Sequence, residues 1–174
     1  MPTTPLSRLA AGAGLSLVMG WAGLVTADTL GEPEGRVVLT ITGSIETTNT
    51  DTGAAEFDMQ MLQSLPMVTV ETSTPWTEGV VTFEGVTGEA LMMLVGGEGG
   101  AVAAVALNDY VSEIPFDEFA GGDVFVAYHQ DGRRISVRER GPLWVLYPFD
   151  ERPEYDDQTH YARSVWQLRR LDVR

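Results

Sequence analysis

Residues 101–115 read AVAAVALNDYVSEIP, and the reading of this stretch decides the fold class. Ala101–Leu107 is a continuous apolar run of strand length, the pattern of a buried strand. Asn108-Asp109-Tyr110 interrupts it with polar residues. Val111–Ile114 then resumes the β pattern and stops at Pro115, which cannot donate to a ladder. Toward the C-terminus, Phe116–Phe119 reads as a single helical turn. Val124–His129, Asp131-Gly132 and Arg133–Val137 form a strand–turn–strand hairpin signal. Leu143–Tyr147 and Ser164–Val173 close the chain with further β pattern. Toward the N-terminus, Glu89–Val95 predicts a short helix with Leu91, Met92 and Val95 on its apolar side and a glycine stop after it. Val80–Phe83 predicts a strand with Glu84-Gly85 as its turn, and Met67–Glu71 another. Asp58 is placed to cap a helix bearing Met59, Met61, Leu62 and Leu65 that ends at Pro66. Val37–Thr42 is a strand ending at Gly43. Many short strands with turn signals between them define an α+β fold, β-dominated, with a mixed-sheet or barrel-like core and two or three short helices.

The first 27 residues fall outside this pattern. Arg8 is their only charge, Leu9–Ala27 is uncharged, and the segment ends Val25-Thr26-Ala27. A basic start, an apolar stretch and a small-residue end are the features of a cleaved secretory signal. The alternative is a retained membrane anchor, since the uncharged run approaches the ~20 residues needed to span a bilayer. Its four glycines and lack of a long Leu/Ile/Val block favour cleavage after Ala27. The expected mature chain is Asp28–Arg174, one domain with no linker or repeat dividing it, exported to the periplasm. That length is enough to bury a core.

Composition excludes several classes. The chain has no cysteine, which removes disulfides, thiolate nucleophiles, zinc–sulfur sites and iron–sulfur clusters. It has no lysine, so there is no Schiff base and no P-loop lysine; all 11 basic residues are arginine. The formal net charge of −14 repels phosphate backbones and anionic lipid, which argues against nucleic acid as a partner.

Catalytic motifs are absent as well. Neither His129, at a hairpin edge, nor His160, in a polar stretch, has a supporting motif. No G-x-S-x-G elbow occurs, and both histidines read as surface residues. Two distant histidines make no transition-metal pattern. The acidic stretch Asp150–Asp157 lacks a calcium-loop spacing and reads as a solvated loop. Gly96–Gly100 has no phosphate-loop context.

Polar and aromatic residues instead gather in four short segments: Thr72–Gly79, Ala106–Tyr110, Arg138–Pro148 and Tyr161–Leu168. Three of the four tryptophans, Trp76, Trp144 and Trp166, lie there. Each segment sits at a strand end, where binding groups collect. Flat apolar faces combined with Asn, Asp, Ser and Arg suit a planar, polar heterocycle. Trp144 and Trp166 also fit strand alternation, so each taken alone reads first as core. Trp76, in a Thr/Pro loop, fits the core least.

These segments resemble the sulfite-oxidase-type molybdopterin-binding fold. The resemblance runs through the Thr/Ser-x-x-Trp loop, Phe83-Glu84-Gly85-Val86 leading into Leu91, Ala106–Tyr110, Gly141-Pro142-Leu143-Trp144 and Arg163–Leu168. It covers the chain from about residue 37 to the C-terminus. Enzymes of that family hold molybdenum by a cysteine whose place falls near Thr72-Ser73-Thr74. Hydroxyls replace a soft thiolate poorly at such a metal. The resemblance therefore implies the cysteine-less periplasmic branch, whose members bind reduced pterins without molybdenum. Some of these pass pterin status to a membrane partner that controls cyclic-di-GMP turnover and biofilm formation. On this reading the chain is not an enzyme, its ligand is a pterin, and its partner is the periplasmic domain of a membrane signalling protein. The competing expectations are an oxidoreductase subunit that keeps molybdopterin and a ligand-free interaction domain.

Roles follow from pterin chemistry. A carboxylate can accept both N–H groups of the amino-pyrimidinone edge, with Asp109 the first candidate and Glu78 the second. Trp76 or Trp144 would stack on the ring. Arg138 or Arg163 would donate to ring acceptors, and Asn108, Tyr110 and Ser164 would complete the polar contacts. Ser73 and Trp166 join the candidate set from the loop and the closing motif.

Overall fold

The structure is a computed structural model that describes Met1 and residues 30–174. The signal-peptide reading of residues 1–27 lies outside the described residues. Among those described, no helix is long and apolar enough to cross a membrane.

Among the described residues, ten strands and four short helices follow one another: β1 (Val37–Gly43), β2 (Ala55–Asp58), α1 (Met59–Ser64), β3 (Val68–Ser73), β4 (Val80–Thr87), α2 (Gly88–Val95), β5 (Ala101–Ala106), β6 (Val111–Pro115), α3 (Phe116–Phe119), β7 (Phe125–Gln130), β8 (Arg133–Arg134), β9 (Trp144–Leu146), α4 (Gln158–Arg163) and β10 (Leu168–Val173). They make two sheets. One has the order β2-β1-β10-β5-β6; in the other β3-β4-β7 is extended by β8 and β9, which both pair with β7. The first and last strands of the chain, β1 and β10, run parallel, and the remaining named pairs are antiparallel.

Local chemistry explains these elements. β1 alternates, burying Leu39 and Ile41 as a half-exposed strand must. β5 is buried from Val102 to Ala106, matching its uninterrupted apolar sequence. Asp58 caps α1 by accepting from the Met61 N–H at 2.9 Å, and Thr87 caps α2 by accepting from Ala90 N–H at 3.1 Å. Gly96 ends α2 in the left-handed region, where a side chain would be strained. One apolar core joins both sheets and α2 through Leu39, Phe57, Phe83, Leu91, Val126 and Trp144.

Five expectations need correction. The core is not a closed barrel but two separate sheets, whose only bridge outside the named ladders, among the described residues, is Trp144↔Trp166. Gln167 adopts φ 51° just after that bridge, so the backbone turns before β10 can extend the junction into a ladder. Glu84-Gly85 is not a turn. β4 runs through it with a bulge, and a Cβ at Gly85 would collide with the Val126 carbonyl. The second arm of the β7–β8 hairpin is only Arg133–Arg134, followed by a 3-10 turn at Val137–Glu139. The strand expected from Ser164 begins only at Leu168, and α4 precedes it. Finally, β2 was not expected at all, and α4 raises the number of helices to four.

Candidate ligand-binding cleft

The cleft lies at the seam between the sheets. Around the Trp144–Trp166 bridge, Val145 N–H donates to Val165 O and Leu168 N–H to Leu143 O, both at 2.9 Å. From the other sheet, Leu107 N–H donates to Gln167 O at 2.9 Å. A concavity of about 260 Å³ opens here. Its walls are Trp76, Trp166 and Tyr161, its apolar base includes Ala106 and Val165, and its rim carries Asn108, Tyr110 and Ser164. No charged side chain lines it.

Trp76 organises the walls. Its ring centroid lies 5.7 Å from those of Trp144, Tyr161 and Trp166, tilted or edge-on as aromatic quadrupoles prefer. Trp144 is fully buried and packs edge-on to Phe83 at 5.7 Å. Its indole N–H donates to Ser164 O at 3.3 Å. Trp144 is therefore the floor beneath Trp76, while half-buried Trp76 and exposed Trp166 offer faces to a ligand.

The loop that presents Trp76 is tied down. Asp150 accepts from Ser73 N–H at 2.7 Å and Ser73 Oγ at 2.6 Å. Asp150 N–H donates to Thr72 Oγ1 at 3.1 Å. Thr74 Oγ1 accepts from Trp76 N–H at 3.2 Å and bonds Thr77 Oγ1 at 2.9 Å. The hydroxyls of Thr72 and Ser73 are thus engaged by Asp150, and that of Thr74 within the loop. With no thiolate in the chain, these residues do not fit a molybdenum centre. Among the described residues, no group of three or more His, Cys, Asp or Glu side chains is placed to hold a metal ion.

The rim is built from the β5–β6 connection and α4. Asn108 Oδ1 accepts from Tyr110 N–H at 3.2 Å, and Tyr110 OH donates to Ala162 O at 2.9 Å, joining the two walls. Ser164 Oγ donates to His160 O at 2.9 Å, which leaves that oxygen free to accept.

The expected site residues divide accordingly. Trp76, Asn108, Tyr110, Ser164 and Trp166 come together in the cleft, and Trp144 supports them. Asp109 does not line it; held at φ 64° in the turn, it is exposed and ion-paired with Arg169. Arg163 turns away to Glu118, 2.7 Å from its Nη1. Ser73 is held by Asp150. Arg138 and Glu78 line a neighbouring concavity of about 490 Å³ with Arg133, Arg134 and Arg140, which meets the cleft at Trp76. Two contributors were not singled out from the sequence. Tyr161 forms a wall, and its phenol pKa is raised by its hydrogen bond to Asp156 and then by burial. Arg140 places its guanidinium over Trp144 and Trp166, 5.4 and 6.0 Å from their centroids. Both lie within the polar–aromatic segments, and position inside those segments was the only available signal.

Nor are the histidines bare surface residues. His129 Nδ1 lies 2.8 Å from Glu84 Oε2, and His160 Nδ1 lies 3.0 Å from Asp157 Oδ1. Backbone hydrogen bonding by His160 lowers the Asp157 pKa.

No family model matches the chain, and no curated protein matches it. Among solved structures, the sulfane dehydrogenase SoxCD from Paracoccus pantotrophus is similar in fold, with a TM-score of 0.58 and 19% identity. The match covers 78% of this chain but 37% of that one, so the chain spans well under half the length of this neighbour. At such identity the likeness is one of fold alone. It supports, coarsely, the distant molybdopterin-binding-type fold expected from the sequence.

Proposed function

We propose that this chain is a pterin-binding module without molybdenum redox chemistry. It belongs, on this reading, to the cysteine-less periplasmic branch of the fold, and is exported by its N-terminal segment. The observation behind the proposal is the character of the cleft: aromatic walls, an amide and two hydroxyls at the rim, and no charged group lining it. A neutral, flat, polar heterocycle meets those demands. Asn108 rather than Asp109 would read the amino-pyrimidinone edge, since an amide offers both a donor and an acceptor. Trp76 and Trp166 would supply the stacking faces. The proposed consequence of binding is a signal to the periplasmic domain of a membrane enzyme of cyclic-di-GMP turnover.

The test is a titration of Asp28–Arg174 with neopterin and its 7,8-dihydro form, followed by pterin and tryptophan fluorescence in metal-free buffer. Saturable binding at micromolar concentration or tighter, weakened by Asn108→Ala, supports the reading. Absence of binding to both oxidised and reduced forms rejects it.

A further inference from the structure

Glu118 lies on α3, outside the cleft, at the centre of a half-buried polar cluster. Its Oε2 accepts from Arg163 Nη1 at 2.7 Å, and its Oε1 accepts from Tyr147 OH at 2.5 Å. His160 Nε2 lies 3.9 Å from the same Oε2. The side chains of Glu118 and Arg163 are only 16% and 21% exposed, so solvent screens this ion pair less than a surface one. Burial, reinforced by Glu118, pushes the Tyr147 phenol far above its ordinary range, so Tyr147 stays a donor to the carboxylate.

The two sides of this cluster differ in rigidity. Tyr147 is fully buried, and α3 follows β6 directly with Phe119 in the core. By contrast, α4 has six residues and buries none of them. Short helices without a buried face have little intrinsic stability. Yet α4 and the two residues after it supply Tyr161, Ala162, Ser164 and Val165 to the cleft wall. The helix meets the body through Tyr161 on Trp76 and Phe149, through His160 on Tyr147 and Tyr155, and through the hydrogen bond from Tyr110 to Ala162 O; its ionic tie is Arg163. That tie is a charge-assisted hydrogen bond, the stronger kind.

We infer that Glu118 is a positioning residue for the cleft: through Arg163 it holds α4, and with it the cleft-lining Tyr161, Ala162 and Ser164, in place. The role assigned here rests on the cleft being the ligand site. It also explains why Arg163 is unavailable as a ligand donor.

The experiment combines Glu118→Gln, Arg163→Gln, the double variant and Tyr147→Phe, with the neopterin dissociation constant and melting temperature measured for each. Glu118→Gln keeps an acceptor for Tyr147 and so protects folding. If Glu118 acts through Arg163, each single variant weakens binding about tenfold, and the double variant weakens it no further than either single. Tyr147→Phe lowers the melting temperature and leaves affinity near wild type. Additive losses in the double variant, or a lowered melting temperature with unchanged affinity in Glu118→Gln, overturn the inference. A ligand-free arm separates it from the pterin reading: amide exchange over residues 158–165 accelerates in Glu118→Gln. If the wild type binds no pterin yet exchange accelerates, the pterin reading falls while the hold on α4 stands. Unchanged exchange refutes the hold whatever the ligand.

Discussion

Replacing Trp76 by alanine should separate ligand binding from folding at one position. The side chain touches Trp144, Tyr161 and Trp166, each at 5.7 Å between centroids. Aromatic pairs of this geometry contribute about 0.5–1.5 kcal/mol each beyond their buried area. A fully buried tryptophan lost to alanine costs about 3–5 kcal/mol. Trp76 is only half-buried, and its loop stays anchored by Asp150, so we expect about 2–3 kcal/mol. For a domain of this size that lowers the melting temperature by roughly 5–10 °C, leaving the protein folded at 25 °C. Ligand affinity should fall as well, because loss of a stacking face costs about 1–3 kcal/mol per ring, or roughly 5- to 150-fold in Kd. Trp76→Phe, which keeps a flat face, should recover most of the binding. The assay is thermal melting together with fluorescence titration well below the variant's transition. Wild-type affinity in Trp76→Ala would place the ligand elsewhere, and an unchanged melting temperature would deny the aromatic cluster its structural part.

Other perturbations test the scaffold. Asp150→Ala removes both acceptors that hold Ser73, at a cost of about 1 kcal/mol given their exposure; urea unfolding reads the loss, and an unchanged midpoint means the loop needs no such anchor. Gly88→Ala pushes a methyl into the Phe119 carbonyl and should destabilise by about 1–3 kcal/mol, whereas Gly53→Ala, with open space around it but φ 76°, meets only backbone strain. Backbone hydrogen bonds from Met61 and Gly35 hold the Asp58 pKa below the ordinary carboxylate value, so its contribution is present above the unfolded pKa and is lost as pH falls through the folded one. Wild type and Asp58→Asn should therefore differ in melting temperature at pH 6, with the gap narrowing only below the ordinary carboxylate pKa of about 3.9 and closing as pH falls through the lowered folded value; a gap that stays constant with pH refutes the role of the charge.

The strands that were legible are those whose sequence states their burial. β5 is a pure apolar run, β1 alternates, and Asp58 marks a helix start by well-understood capping chemistry. What escaped notice had no local signal. β2 has only four residues, too few for a period to show. α4 buries nothing, so no apolar stripe betrays it, and its cap Asp157 sat in an acidic stretch that looked like solvated loop. At Glu84-Gly85 the turn chemistry was read correctly in isolation, but the glycine serves close approach to β7, which only the partner strand reveals.

The site divides along the same line, and the division has a chemical meaning. Trp76, Trp166 and Asn108 come together in the cleft because a flat or amide side chain at a strand end has few competing partners. Asp109 and Arg163 stay out of the cleft because each finds an opposite charge far along the chain. Arg163 meets Glu118 across 45 positions and Arg169 meets Asp109 across 60, separations no local pattern encodes. Once those pairs form, the seam is left with ring faces, an amide and hydroxyls, in a protein of formal net charge −14. An anionic ligand would meet an unfavourable long-range field there, partly offset by the Arg140 guanidinium 6.0 Å from the Trp166 centroid. On the proposed reading, the pairing that holds Asp109 and Arg163 away from the cleft favours a planar ligand hydrogen-bonded at its edge.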